Sequence, residues 1–191
     1  MAAYLEFEVS LRHIEPRIYR RFLLKDTASF RDLHLAIQDA GDWENYHLFE
    51  FRTRDRDSQT IAGIVLDDDG PFLDDPPPDA VKVKLRSFFA RTGQKCIYLY
   101  DFGDGWELDV RLKRTVEMPE RFRRRLLDGA RAFPPEDCGG VWGYYDCLAA
   151  LGLIKLDGPG FSKKEIKERR EWLGDWQAEL DLKKCKAAFD C

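Results

Sequence analysis

Two short segments of the chain carry acidic residues that could do chemistry together. The first is YLYDFGDGWELDVRL (98–112), and the second is FPPEDCGG (133–140). Paired carboxylates can hold a hard divalent cation, or they can act as general acid and general base. If the two segments meet in space, they predict a metal-dependent hydrolase. The candidate catalytic residues are Asp101, Asp104, Glu107, Glu136 and Asp137, and the weaker candidates for metal ligands are Asp101, Glu107 and Glu136.

The same carboxylates also have a structural interpretation. Aspartate is common in turns, where its side chain accepts hydrogen bonds from nearby backbone N–H groups. Asp104 would then fill a hairpin loop, while Glu136 and Asp137 would cap the turn that follows them. Both interpretations stay open, because the sequence does not show whether the two segments converge.

The first segment predicts a β-hairpin, since two alternating runs flank Gly-Asp-Gly. A three-residue loop at 103–105 would place Phe102 opposite Trp106 and give one wholly apolar face. The same register would place Asp101 directly opposite Glu107. Opposed like charges destabilise a sheet by up to about 1 kcal/mol, so we expect water, an arginine or a cation to offset them.

Histidine and cysteine give weaker signals. His47 shares a predicted strand face with Phe49 and Phe51, so we expect a partly buried ring rather than a ligand. The histidines form no H-x-x-x-H pair, which argues against zinc. Cys138 lies within the second acidic segment, but no base that could activate its thiol is apparent. We therefore expect no cofactor, while a divalent metal stays compatible with the carboxylates.

Two groups of arginines could bind a phosphate or an acidic partner. The candidates for anion or nucleic-acid binding are Arg17, Arg20, Arg21, Arg121, Arg124 and Arg125. The net charge of −4 does not favour a nucleic-acid partner, because non-specific binders carry a basic excess. The arginines could instead form a solvated face that balances the acidic loop at 67–79. The expected partner is thus a protein or a small ligand.

The elements that must position these residues are strands at the start of the chain and helices at its end. A length of 191 residues with 44% hydrophobic residues suits one domain with its own core. Alternation and turn residues predict strands at 3–11, 17–24, 47–52 and 61–66. Ser29 caps a predicted helix that stops at Gly41.

The second half of the chain is predicted to be mostly helical. Residues 81–89 suit a short strand or the start of a helix, and the hairpin at 98–112 follows. Further helices are predicted at 118–132, at 143–152, from a Ser162–Glu165 capping box to Gly174, and around 182–189.

These elements predict an α+β fold. We expect a mixed β-sheet that begins with a hairpin and a packed helix, in the manner of a β-grasp, covered by C-terminal helices. The domain would span 1–191, with 153–191 as a C-terminal helical extension. The first residues lack a signal peptide, and no apolar run is long enough to cross a bilayer. We therefore expect a cytoplasmic protein with reduced thiols and no membrane partner.

Several segments together resemble the plasmid open-reading-frame-three-like family. They include IEPRIYRRFLL (14–24), DFGDGWE (101–107) and PPEDCGG (134–140). The resemblance implies an α+β fold in proteins found on plasmids, transposons and chromosomes, some of them labelled transposon resolvases. Relatives commonly carry His where this chain has Leu108, and many carry cysteines ahead of PPEDCGG, where this chain has Leu126 or Leu127 and Phe133. These departures argue against a metal site of that kind.

The leading functional prediction is a non-catalytic interaction module of mobile-element origin that binds a protein or a small acidic ligand. No complete catalytic constellation is visible in the sequence. The alternatives are a metal-dependent hydrolase that uses the acidic residues and a nucleic-acid-binding accessory protein that uses the arginines.

Overall fold

Among the residues that the structure describes, seven antiparallel strands form one sheet at the centre of the fold, in the order β4-β3-β5-β6-β1-β2-β7. The structure is a computed structural model that describes residues 1–64, 76–156 and 160–191. The strands are β1 (Ala2–Leu11), β2 (Tyr19–Lys25), β3 (Phe49–Arg52), β4 (Thr60–Gly63), β5 (Lys95–Tyr100), β6 (Trp106–Met118) and β7 (Arg124–Ala130). The helices are α1 (Phe30–Gly41), α2 (Leu85–Phe88), α3 (Gly140–Ala150), α4 (Lys163–Leu173) and α5 (Leu182–Phe189).

The α+β class is confirmed, whereas the β-grasp-like arrangement is not. Every pairing between the named strands of the described residues is antiparallel, so the sheet is not mixed. β1 lies between β2 and β6 near the middle of the sheet. The division into one domain at 1–191 with an extension at 153–191 stays a prediction.

Alternation along β1 builds the core as predicted, because Leu5, Phe7 and Val9 are buried. Tyr4, on the opposite face, is also fully buried, which alternation alone does not predict. Its ring stacks on Phe122 with centroids 4.0 Å apart, and its hydroxyl accepts a hydrogen bond from the Phe122 N–H at 2.9 Å. The segment between β6 and β7 therefore covers the second face of the sheet at this point.

The predicted helix at 118–132 is wrong. β7 occupies 124–130 and pairs with β2, with Leu126 opposite Phe22. Met118, Phe122 and Leu126 follow helical spacing, but pairing with the open edge of β2 outweighs this local pattern. Arginines on an edge strand also limit unwanted pairing with other chains.

Helix α1 begins after the predicted cap Ser29, whose hydroxyl accepts from the Asp32 N–H while the Asp32 carboxylate accepts from the Ser29 N–H, so the two residues form a capping box. It ends at Gly41, as predicted, although the residue that caps it is Asp42 rather than the glycine. Asp42 adopts the left-handed conformation, with φ of 59°, and Gly41 is instead needed for close packing. A Cβ at Gly41 would lie 2.3 Å from Cδ2 of the buried Phe133.

The C-terminal helices follow the sequence signals closely. The Ser162–Glu165 capping box opens α4, and Gly174 caps its end. In α5, Phe189 is fully buried and its ring centroid lies 5.5 Å from that of Phe22. Residues 65–75, which contain most of the acidic loop and the end of the predicted strand at 61–66, lie outside the described residues.

Candidate metal centre

The hairpin of β5 and β6 has a different register from the predicted one. Tyr100 pairs with Trp106, and Leu99 pairs with Glu107. The apolar face is preserved, but the pairing moves by two residues and the loop lengthens to 101–105. The predicted opposition of Asp101 and Glu107 is therefore wrong, because Asp101 belongs to the loop.

Asp101 explains the longer loop. It adopts a left-handed conformation with φ of 53°, which aspartate tolerates better than most residues. Its Oδ1 accepts hydrogen bonds from the N–H groups of Gly103 at 3.0 Å and Asp104 at 3.3 Å. Its carbonyl accepts from Gly105 N–H at 2.6 Å. The loop is thus closed by one side chain that is almost wholly buried.

The two acidic segments converge. Asp104 Oδ2 accepts a hydrogen bond from the Gly139 N–H at 3.1 Å. Gly139 and Gly140 both have positive φ, and a Cβ on Gly140 would lie 2.5 Å from the carbonyl oxygen of Asp104. Glycine at 140 therefore allows the backbone at the start of α3 to rest directly on the hairpin loop.

Glu107 lies apart from this junction. Its carboxylate binds the Arg12 guanidinium, and His13 Nε2 lies 3.7 Å from it. Arg12 also approaches Asp109, at 3.9 Å. An arginine thus neutralises these two carboxylates, which agrees with the structural interpretation of Glu107.

Glu136 holds the loop at 133–139 against the sheet. It accepts hydrogen bonds from the Tyr100 hydroxyl and from the Glu44 N–H, the latter at 2.6 Å. Burial and this bond to a carboxylate raise the pKa of Tyr100, so the hydroxyl stays protonated and donating. Glu136 thereby fixes the position of its neighbour Asp137.

Three side chains face one another at the junction. His47 Nε2 lies 3.2 Å from Asp137 Oδ1 and 3.6 Å from Asp101 Oδ2. One nitrogen or oxygen atom from each residue lies within 4.8 Å of the other two, as a shared cation requires. Asp101 is 9% exposed, His47 24% and Asp137 57%, so the site is open on the side of Asp137.

His47 Nε2 has an unusual environment. The atom is buried and has no hydrogen-bond partner among the described residues, although two carboxylates surround it. The Tyr46 hydroxyl donates to the other oxygen of Asp137, Oδ2, at 2.8 Å. That bond raises the pKa of Tyr46 and turns Asp137 Oδ1 toward the histidine. An ion between the three residues would give Nε2 the partner that it lacks.

His47 is the residue that sequence reasoning missed. Its predicted place on a strand face with Phe49 and Phe51 gave no sign of a ligand. β3 begins only at Phe49, which pairs with Tyr100 in β5, and this pairing brings the residues before β3 beside the hairpin loop. Only the pairing of β3 with β5 would have indicated that His47 lies beside the hairpin loop. That pairing joins segments far apart in the sequence, so no local pattern predicts it.

Most of the arginines predicted to bind anions form hydrogen bonds or ion pairs with other groups of the protein. Arg20 is 1% exposed and donates to the carbonyls of Ala40, Tyr19 and Arg131 at 2.7–2.8 Å. Burial therefore removes it from any external phosphate. The other engaged arginines pair with carboxylates: Arg17 with Glu8, Arg21 with Glu6 and Asp128, Arg124 with Asp39, and Arg125 with Glu120. Arg121 is exposed.

Among the described residues, no helix is both long enough and apolar enough to cross a membrane.

Known proteins are similar to this chain in sequence, and one of them in fold. The family described as "Plasmid pRiA4b ORF-3-like protein" matches residues 3–186 of this chain. An uncharacterized protein, y4hQ of Sinorhizobium fredii, is 40% identical over 152 residues, which cover 79% of this chain and 74% of that protein. The crystal structure of MM3350 from Methanosarcina mazei Go1, a protein of unknown function, is similar with a TM-score of 0.77 and 32% identity, covering 96% of both chains. The chain belongs to the plasmid pRiA4b ORF-3-like protein family.

Proposed function

We propose that this protein is a non-catalytic interaction module that binds a divalent transition-metal ion through His47, Asp101 and Asp137. The observation that carries the proposal is the buried Nε2 of His47, which lacks a hydrogen bond although it lies between two carboxylates. Buried polar atoms normally have a hydrogen-bond partner or a ligand, so a nitrogen without a hydrogen bond beside two anionic oxygens favours a cation-binding site.

The donor set points to a class of metal. Calcium and magnesium prefer oxygen ligands, and magnesium keeps much of its water. One imidazole nitrogen with two carboxylates suits Zn²⁺ or Mn²⁺ better. The absence of an H-x-x-x-H pair argues against zinc only for two histidine ligands within one helix. The present site draws each ligand from a different segment.

The ion would link the segment before β3, the hairpin loop and the loop before α3, and it would provide a binding surface. An exposed aromatic residue lies close in sequence to each of the three ligands: Tyr46 precedes His47, Phe102 follows Asp101, and Trp142 lies in the first turn of α3, after Asp137. Exposed aromatic residues are enriched in interaction surfaces. A carboxylate of a protein partner or of a small acidic ligand would complete the coordination of the metal.

A metal-dependent hydrolase is the second candidate. Three protein ligands with one open side resemble a catalytic rather than a structural metal site, because a fourth position is left for water. Asp137 is more than half exposed, so substrate could reach the ion. Hydrolysis of a chromogenic ester or phosphoester that depends on added Mn²⁺ and is lost in H47A would favour this candidate over the binding module.

A thermal-shift panel tests metal binding. Protein treated with EDTA is titrated with Zn²⁺, Mn²⁺, Mg²⁺ and Ca²⁺, and stabilisation by Zn²⁺ or Mn²⁺ is expected. The shift should vanish in H47A and in D137N. The matched control is H13A, since His13 also lies near a carboxylate but is 63% exposed. Equal shifts in wild type and H47A, or no shift with any metal, would refute the proposal.

The cellular setting belongs to the same proposal. Five free cysteines support a cytoplasmic location, where thiols stay reduced. An origin on mobile elements is inferred from the plasmid in the family's description.

A further inference from the structure

The face of the sheet that points away from the core carries two opposed cations. In β5 and β6 the exposed residues Lys95 and Arg111 alternate with buried apolar residues. The register places Lys95 directly opposite Arg111, and like charges in such a position destabilise a sheet. Among the residues that the structure describes, neither side chain forms an ion pair with a carboxylate.

The carboxylate that adjoins this pair already binds other cations. Glu8 of β1 lies opposite Arg111, on the side of β6 away from β5. Its Oε1 accepts a hydrogen bond from Arg17 at 2.9 Å, and its Oε2 lies 3.7 Å from Nζ of Lys113. One carboxylate therefore adjoins three cations, and it does not balance the positive charge of this part of the sheet.

The next carboxylate along β6 also has cationic partners of its own. Asp109 points to the same face two residues before Arg111, because side chains alternate along a strand. Its Oδ1 lies 3.6 Å from Nη2 of Arg54 and 3.9 Å from Nε of Arg12. Asp109 is thus neutralised by two arginines that lie outside the opposed pair.

A basic stretch of sequence leads into the pair. Residues 80–100 contain five Lys or Arg residues and no Asp or Glu, although the whole chain has a net charge of −4. Arg91 is exposed in the turn before β5. Gln94 Oε1 accepts from the Arg91 N–H at 3.4 Å, and the Gly93 N–H donates to the Leu112 carbonyl at 2.7 Å. These bonds hold the turn beside the basic part of β6.

We propose that Arg91, Lys95, Arg111 and Lys113, here called the basic patch, bind the phosphate backbone of single-stranded nucleic acid. Arginine and lysine are the main side chains that contact phosphates, and such contacts are independent of sequence. A phosphate between Lys95 and Arg111 would replace their repulsion with two attractive contacts. Four cations spread over two strands and a turn exceed what one phosphate can contact, so the ligand is a polymer of phosphates.

The position of the basic patch favours a single strand over a duplex. β5 and β6 lie near the middle of the seven described strands, and so broad a surface cannot enter a duplex groove, which admits a helix or a two-stranded ribbon. Sequence-independent binding of single strands needs only an exposed positive surface along the backbone, to which stacking adds affinity.

Two other polyanionic partners fit the basic patch less well. A membrane-binding surface places exposed apolar residues beside its cations, and a protein interface buries an apolar centre. Of the described residues, none of the large hydrophobic side chains that are exposed belongs to β5 or β6. The basic patch therefore offers charge without the apolar contacts that a bilayer or a protein would use.

Fluorescence anisotropy tests the basic patch with a labelled single-stranded DNA of about 20 nucleotides. Wild-type protein in EDTA, which keeps metal out of the measurement, should bind the DNA at about 50 mM salt and much more weakly at about 200 mM. In K95Q/R111Q we expect about tenfold weaker binding at the lower salt. The slope of log K against log salt should become shallower by about 1.4, since each phosphate contact on a single strand contributes about 0.7.

The matched control is K163Q/K183Q, which removes two exposed cations from α4 and α5 and should bind DNA as the wild type does. Equal losses in the two double variants, or no binding by the wild type at the lower salt, would overturn the proposal. So would displacement of the labelled DNA by polyglutamate or by phosphatidylserine vesicles as effectively as by unlabelled DNA at equal charge.

The melting temperature separates a binding role of the pair from a structural one. K95Q/R111Q removes a repulsion, so at low salt it should melt at or above the wild-type temperature while it binds DNA less tightly. A lower melting temperature would show that the two cations make stabilising contacts within the protein, and it would contradict the proposal.

Discussion

His47 Nε2 and Asp137 Oδ1 lie 3.2 Å apart, yet no hydrogen bond joins them. His47 belongs to the segment before β3, and Asp137 to the loop before α3. Each is fixed by neighbours that have their own structural reasons to be there: Glu136 anchors one loop, and the pairing of β3 with β5 fixes the other segment. The rest of the fold therefore holds a nitrogen and an anionic oxygen close together.

Asp101 has two roles that substitutions can separate. Its Oδ1 closes the hairpin loop, while its Oδ2 faces His47. D101N keeps an acceptor oxygen and tolerates the left-handed conformation, so we expect a folded protein that has lost most of its metal affinity. D101A loses the acceptor as well and should be less stable by about 1–2 kcal/mol. Urea unfolding and a zinc titration of both variants measure the two effects. A D101N protein that binds zinc as tightly as the wild type would remove Asp101 from the site.

Gly140 is predicted to be essential for the junction of hairpin loop and α3. G140A places a Cβ 2.5 Å from the Asp104 carbonyl and also strains a backbone with φ of 67°. We expect it to lower the free energy of unfolding by about 2–3 kcal/mol and to weaken metal binding. G152A is the control, because φ there is 77° but no atom lies within 4 Å of the added Cβ, so only about 1 kcal/mol should be lost. Similar losses in the two variants would show that the close approach at Gly140 is unimportant.

The buried His34 should make stability depend on pH. The Tyr98 hydroxyl receives a hydrogen bond from Gln38 and donates one to His34 Nδ1 at 2.7 Å, which leaves Nε2–H to donate to Asn45. Burial lowers the pKa of His34 to about 3. In the unfolded chain this histidine has a pKa near 6.5 and is protonated below that pH, whereas in the folded chain it stays neutral. The free energy of unfolding therefore decreases as the pH falls below about 6.5.

We expect the wild type to lose about 2 kcal/mol from this group between pH 7 and pH 5. Urea unfolding at the two values, repeated on H34Q, isolates the contribution. H34Q should show a correspondingly smaller change, while H13Q, at an exposed histidine, should keep the wild-type change. The same pH dependence in H34Q and wild type would contradict a neutral, buried His34.

Arg20 is predicted to act in the core rather than in binding. Its guanidinium lies 4.7 Å from the Phe133 ring centroid and donates to carbonyls at the end of α1 and after β7. R20A would leave these buried oxygens without donors and should cost about 3 kcal/mol or more. R17A, at a half-exposed ion pair with Glu8, should change stability by less than about 1 kcal/mol. Thermal unfolding of both variants makes the comparison, and equal melting temperatures would refute the structural role.

The parts of this fold that the sequence predicts are those set by local rules. The capping boxes at Ser29 and Ser162 and the apolar alternation of β1 each depend on residues within a few positions of one another. The prediction of a helix at 118–132 was wrong because residues 124–130 form a strand against the edge of β2, which lies far away in the chain. The predicted hairpin register was wrong because the Asp101 side chain closes a loop that is longer than the three-residue loop indicated by the glycines.

The candidate site likewise contains residues that the sequence identifies and one that it does not. Asp101 and Asp137 stand out in the sequence because acidic residues are dense around them, and the structure brings both into one cluster. Glu107 and Glu136 stand out equally, but they bind Arg12 and Tyr100 instead. His47 has no local signal at all. Its proposed role as a ligand depends on a strand pairing across about fifty residues of chain, and periodicity cannot reveal such a pairing.

Anomalous diffraction from crystals soaked in Zn²⁺ or Mn²⁺ tests the central proposal most directly. We expect one strong peak at about 2.0–2.2 Å from His47 Nε2 and from a carboxylate oxygen of both Asp101 and Asp137. The peak should be absent from crystals of H47A grown and soaked in the same way. A peak at other residues only, or no peak beside His47 in the wild type, would contradict a metal centre at this junction.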